Sequence, residues 1–226
     1  MKVESHNTRE NLKLILENKV DYAMISLVDY FRNKEFLKLI HGPTITGLRH
    51  SMSNLLISKG EDPVDNMRIA VTEQTETTAF FLRLVLDKTF RDSKLIRSRE
   101  HTYDKLLAEE NYALLIGDSA LSVYETSLRI IYDVTHMFTT LYGLYSIYAV
   151  TVSNRKSTVP SEFPEDFNVM PWEKRRMASK TQTGVSIGIL ERYFDVISYN
   201  FDSVLESHIG KLENLYKQNS DRIFSS

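Results

Sequence analysis

The segment Tyr112-Ala113-Leu114-Leu115-Ile116-Gly117-Asp118 is an unbroken apolar run that stops at a glycine and an acid. A short run with no polar alternation is buried on both faces, as a strand inside an α/β sheet is. The pattern recurs over 22–28, 53–58, 68–72, 94–96 and 129–134, each read as a short strand. Helical patterning fills the intervals. Asn7 or Thr8 can cap a helix with Leu12, Ile15, Leu16 and Val20 on one face. A helix beginning near Thr77 carries Ala79, Phe80, Leu82, Leu84, Val85 and Leu86, apolar nearly all round and therefore buried. Further helical segments are read at 101–109, from Ser119 onward, and over 172–180, 185–199 and 202–217, with a proline-bearing loop over 153–169. Strands alternating with helices point to an α/β fold with mainly parallel sheets.

Composition narrows the function classes. The chain has 226 residues, enough to bury a sizeable core unaided. Lys and Arg total 28 against 30 Asp and Glu, so the basic excess usual in phosphate-neutralising nucleic-acid binders is missing. With no cysteine, disulfides, Cys zinc sites and thiol nucleophiles are excluded together. The start, Met1-Lys2-Val3-Glu4-Ser5-His6, is polar with no apolar run behind it, unlike a secretory signal. The most apolar stretch, 141–152, is too short for a membrane helix, which needs about 20 residues. A soluble cytoplasmic protein that contacts neither nucleic acid nor membrane is the expectation. Tyr142, Tyr145 and Tyr148 within that stretch read as core and rim.

Familiar catalytic signatures are missing too. The six histidines form no HxH or HExxH spacing, and GxSxG, GxGxxG and GxxxxGK[ST] do not occur. Two loops remain. In Thr72-Glu73-Gln74-Thr75-Glu76-Thr77-Thr78, hydroxyls and helix-start N–H groups suit a carboxylate or phosphate. Equally, Thr75 or Thr77 would simply cap the helix, and Glu73 or Glu76 pointing inward would repel an anion. At Gly117-Asp118, a strand's carboxyl end, Gly allows close backbone approach, and Asp can accept ligand protons, act as a base or cap the next helix.

Taken in order, these segments resemble the futalosine-route menaquinone-biosynthesis family of periplasmic-binding-protein-like enzymes, in its chorismate dehydratase branch. Ala113-Leu114-Leu115-Ile116-Gly117-Asp118-Ser119-Ala120-Leu121 is similar to the family's "A-L-L-I-G-D-x-A-L". Tyr132-Asp133-Val134 with Tyr142-Gly143-Leu144-Tyr145 resembles "Y-D-L-G" and "T-G-L-P", the threonine and proline being replaced. Ser53-Asn54-Leu55-Leu56-Ile57-Ser58 looks like the second half of "G-P-V-R-S-V-L-L-F-S" and sets Ser53 on the family's ligand-contacting serine. Similar blocks lie at 18–26, 69–78 and 193–199, so the resemblance covers roughly 8–215. The family's opening strand and "S-Y-L-N-[TA]-x-P" loop have no counterpart after Met1, which implies a shortened N-terminus. The sheet edge so exposed calls for cover, by a second copy in a homodimer or by a rearranged N-terminus.

The resemblance implies a two-lobed periplasmic-binding-protein type II-like clamshell with the ligand in its cleft. The lobes would be 1–56 with 145–226, and 57–144, the chain crossing near 52–58 and 139–146. The implied reaction removes water from chorismate to give 3-[(1-carboxyvinyl)oxy]benzoate, with no metal and no organic cofactor. Ser53, Thr77 and Thr78 would bind the substrate carboxylate, Gly117 and Asp118 would line the opposite wall, and Asp118 and Ser53 would carry the chemistry. Two alternatives accompany this reading. One is a 1,4-dihydroxy-6-naphthoate synthase, whose branch shows a histidine–glutamate pair where this chain has Gly117-Asp118-Ser119. The other is a non-catalytic protein of the same fold that binds a small carboxylate or aromatic ligand.

Overall fold

A computed structural model shows how the runs assemble; it describes residues 4–73, 75–163 and 184–224. Helix α1 (Thr8–Leu16) starts where the Asn7 side chain accepts the Glu10 N–H at 2.9 Å, and it ends before Val20. Strand β1 (Ala23–Ser26) passes straight into α2 (Leu27–Arg32). Ser26 makes the switch, its Oγ accepting the Asp29 N–H at 3.1 Å. The strand expected through residue 28 is thereby corrected: Leu27 and Val28 are buried on a helix. Strands β2 (Leu37–Leu39) and β3 (Ile45–Gly47) are too short to show in the apolar pattern.

The next eight elements fall on segments read from the sequence. They are β4 (Asn54–Ser58), β5 (Arg68–Thr72), α3 (Glu76–Thr89), β6 (Lys94–Ser98), α4 (Tyr103–Glu109), β7 (Tyr112–Ile116), α5 (Gly117–Val123) and β8 (Arg129–Asp133). Helix α6 (Val134–Tyr142) and strand β9 (Ser146–Asn154) emerge from one continuous apolar stretch. Asp133 caps α6, and Gly143 at φ +64° ends it. Tyr142, Tyr145 and Tyr148 are half-buried, in keeping with core and rim, and Tyr142 donates to the Leu84 carbonyl at 3.0 Å. Helix α7 (Ile187–Val196), strand β10 (Ile197–Ser198) and helix α8 (Ser203–Asn219) complete the order, followed by a 3-10 turn over Ser220–Arg222. The helix expected over 172–180 lies outside the described residues.

Among the described residues, 4–46, 147–163 and 198–216 form one compact unit. Its five-stranded sheet has the order β1-β9-β3-β10, with β2 also paired to β9. Both β1 and β2 run antiparallel to β9, Ala23 opposite Val152 and Leu37 opposite Asn154. Ile15, Ile25, Leu37, Val150 and Val152 are fully buried in this unit. The Asn11 amide ties α1 to the sheet by donating to the Met24 carbonyl at 2.9 Å.

Residues 47–146, 184–197 and 217–224 form the second unit, whose five-stranded sheet has the order β6-β5-β7-β4-β8. Strand β5 is parallel to β6 and to β7, as their helical connections α3 and α4 require. Strand β4 is antiparallel to both β7 and β8. The expectation of mainly parallel sheets is therefore corrected to mixed sheets. The cause is local: only residues 59–67 separate β4 from β5, too few for a crossover, so the chain turns back. Every residue of β4 is buried, and ten consecutive residues of α3, Thr77 to Leu86, are buried with it.

Candidate functional site

Strand direction in the second sheet decides where chemistry collects. The parallel strands β5 and β7 end at Thr72 and Ile116. Strand β4, antiparallel to β7 with Asn54 opposite Ile116, begins at that same edge. Strand β8, antiparallel to β4 with Asp133 opposite Leu55, ends there. One sheet edge thus gathers Ser53 and Asn54, the start of α3 with Thr77 and Thr78, the Gly117-Asp118 turn, and Asp133. Ligands of open α/β sheets bind outside such strand ends.

On the α3 side the polar groups are packed and mutually bonded. Ser53, Asn54, Thr77 and Thr78 are all buried. The Asn54 amide donates from Nδ2 to Ser51 Oγ at 3.1 Å and to Ser53 Oγ at 3.2 Å, while Thr78 Oγ1 donates to Asn54 Oδ1 at 2.7 Å. Thr75 holds the N-cap position of α3 without making a side-chain cap bond; its hydroxyl lies 2.5 Å from Thr72 Oγ1 instead. The capping reading is thus right in position and wrong in contact. Glu76 does not turn against an anion here, because its carboxylate pairs with Arg97 Nη2 at 2.7 Å.

The Gly117 side is open. Gly117 sits at φ +57°, where a methyl group would meet nothing within 4 Å, and its N–H donates to the Ser53 carbonyl at 2.8 Å. Asp118 follows in the first turn of α5 and does not cap it, the N-cap residue being Ile116. The Asp118 side chain is exposed, yet partial desolvation still pushes its carboxyl above the usual range.

A second carboxylate braces the edge. Asp133 Oδ2 accepts the Ser51 N–H at 2.8 Å and the Met52 N–H at 2.7 Å, and Oδ1 accepts the His136 N–H at 3.2 Å. These bonds hold Met52 at φ +58°, an uncommon conformation for a residue with a side chain. The Met52 side chain anchors the same turn in a cluster with Leu121, Val185, Ile189 and Leu190. Beside it, burial first and the Asp133 charge second push the Tyr124 hydroxyl up to about 12. Sequence reasoning missed Asn54 and Asp133. An acid between a strand-like run and a helical one is a cap signal, but nothing local pairs it with residues 51 and 52. Among the described residues, no three of His, Asp and Glu come together as metal ligands, and no helix is long and apolar enough to cross a membrane.

Residues 6–215 match the protein family described as menaquinone biosynthesis. The chorismate dehydratase of Thermus thermophilus is 28% identical over 131 residues, which is 58% of this chain and 47% of that protein. The chain thus matches about half the length of this curated relative. A crystal structure of a protein from Archaeoglobus fulgidus superposes with a TM-score of 0.68 at 14% identity, over 95% of this chain and 85% of that one. The periplasmic aliphatic sulphonate binding protein of Escherichia coli superposes with a TM-score of 0.62 at 8% identity, over 96% of this chain and 77% of that one. At such identities these structures speak for the fold, which is periplasmic-binding-protein-like.

Proposed function

The chain belongs to the menaquinone biosynthesis family, and on that premise we propose that it is a chorismate-dehydratase-like hydro-lyase acting in the cytoplasm. What carries the reading is the convergence of Ser53, Thr77, Thr78, Gly117 and Asp118 on one edge of the second sheet. The hydroxyl of Ser53 and the N-terminal end of α3 suit a carboxylate, since helix-start N–H groups and hydroxyls favour negative charge.

The reaction itself needs a base and little else. A ring C–H proton beside the hydroxyl-bearing carbon goes to the base, the C–O bond breaks, and the departing hydroxyl takes that proton back from the base to leave as water. The electron pair of the C–H bond completes the aromatic ring, so no oxidant or reductant is consumed. We assign that proton to Asp118; its exposure at the open side of the edge and a basicity raised by partial burial support the assignment. Proton transfer to a positioned carboxylate of this kind contributes about 100-fold or more to a rate.

The test is incubation of the purified protein with millimolar chorismate and detection of 3-[(1-carboxyvinyl)oxy]benzoate by mass. Product formation supports the hydro-lyase. Stabilisation of the protein by chorismate in a thermal shift without any product would turn the reading into that of a non-catalytic carboxylate-binding protein.

A further inference from the structure

A buried primary amide has fixed polarity: its nitrogen only donates and its oxygen only accepts. Asn54, 5% exposed, spends both ends on hydroxyls of the candidate site. Its nitrogen meets the oxygens of Ser51 and Ser53, and its oxygen receives the proton of Thr78. Each hydroxyl has one proton to give, so these bonds sort the set. Ser53 accepts from the amide and keeps its own proton to donate. Thr78 has already committed its proton and offers only lone pairs. A carboxylate is drawn to the first hydroxyl and gains nothing from the second.

We propose that Asn54 is the positioning residue that sets the specificity of this edge, turning the Ser53 hydroxyl into a dedicated donor for a ligand carboxylate. The Thr78 hydroxyl becomes an acceptor, matched to a hydroxyl on the ligand. The ligand class that follows is a hydroxylated carboxylate, with its charged group at Ser53 and its hydroxyl toward Thr78. This rests on the carboxylate-binding reading above and adds to it the device that tells a carboxylate from its neutral isostere. Buried polar groups discriminate strongly because a mismatched ligand leaves them unpaired.

The experiment is a double-mutant cycle read as a ratio of affinities. Calorimetric titration gives the preference for chorismate over its dimethyl ester in the native protein, Ser53→Ala, Asn54→Ala and the double variant. The native protein prefers chorismate, and Asn54→Ala reduces that preference by about tenfold, as expected when a hydrogen bond to a charged group is lost. In the Ser53→Ala background, Asn54→Ala reduces it no further, because Asn54 acts through Ser53. A purely structural asparagine would weaken both ligands alike and leave the ratio unchanged; that result, or an equal reduction in both backgrounds, overturns the proposal. Native protein that binds neither ligand overturns the carboxylate-binding reading and this inference together, whereas native preference with an unchanged Asn54→Ala ratio overturns this inference alone. If Asn54→Ala does not fold, Asn54→Leu, closer in volume, completes the same cycle.

Discussion

The end of β5 at Thr72 with the start of α3 at Thr75 to Thr78, and the turn at Gly117-Asp118, lie at the ends of neighbouring parallel strands, yet the threonines of the first are packed shut and the second stands open. Thr72, Thr75 and Thr78 are buried and bonded to one another or to Asn54. Gly117 and Asp118 are exposed, and Gly117 has open space where a side chain would stand. The contrast teaches a division of labour: the closed side holds a fixed pattern of donors and acceptors, and the open side leaves a carboxylate able to meet a ligand. Substitutions on the closed side should therefore cost the fold more than those on the open side.

The largest effect is expected at the brace. Asp133→Ala strips three backbone N–H groups of their acceptor and should destabilise the protein by about 3 kcal/mol in urea unfolding. A loss under about 1 kcal/mol would mean that the 51–52 turn holds itself without the clamp. Thr78→Val keeps the shape and removes the proton donated to Asn54, leaving a buried oxygen unmatched; about 2 kcal/mol should be lost by the same assay. Equal stability would show that the closed side is less tightly wired than its distances indicate.

On the open side the effects shrink. Gly117→Ala meets no atom but must hold φ +57°, so thermal unfolding should report about 1 kcal/mol of backbone strain and no more. A much larger loss would reveal crowding and break the contrast. The smallest effect is expected at Asp118. Its folded pKa is raised, so its stabilising contribution is complete below the ordinary carboxylate pKa and is lost as pH rises through the folded value. Asp118→Asn should therefore stabilise slightly near neutral pH, by at most about 0.5 kcal/mol given its exposure, with the gain vanishing near pH 3. Destabilisation at neutral pH would contradict the desolvation behind that shift.

These differences were unevenly visible in the sequence. Strands β5 and β7 stand out because their apolar runs end abruptly at Thr72 and Gly117, and those ends marked both loops. Ser53, Thr77, Thr78, Gly117 and Asp118 could all be placed at strand or helix ends from local pattern alone. Asn54 and Asp133 could not, because their roles depend on register: only the pairing of β4 with β7 and β8 brings residues 54, 116 and 133 to one edge. The same limit explains the corrected sheets. Strand–helix alternation suggested parallel pairing, but the short polar link 59–67 between β4 and β5 already rules out a crossover there. The apolar pattern makes β1 look too long because Ser26, one residue inside an apolar run, changes a strand into a helix as its side chain accepts the Asp29 N–H.

The most direct test of a binding wall facing a reacting wall is the split between affinity and turnover in two variants. With chorismate as substrate, Asp118→Asn should keep its Kd within about threefold of the native value while kcat falls about 100-fold or more. Ser53→Ala should instead raise Kd by about tenfold. Undiminished turnover by Asp118→Asn would contradict the assignment of the open side to the chemistry, and with it the central claim.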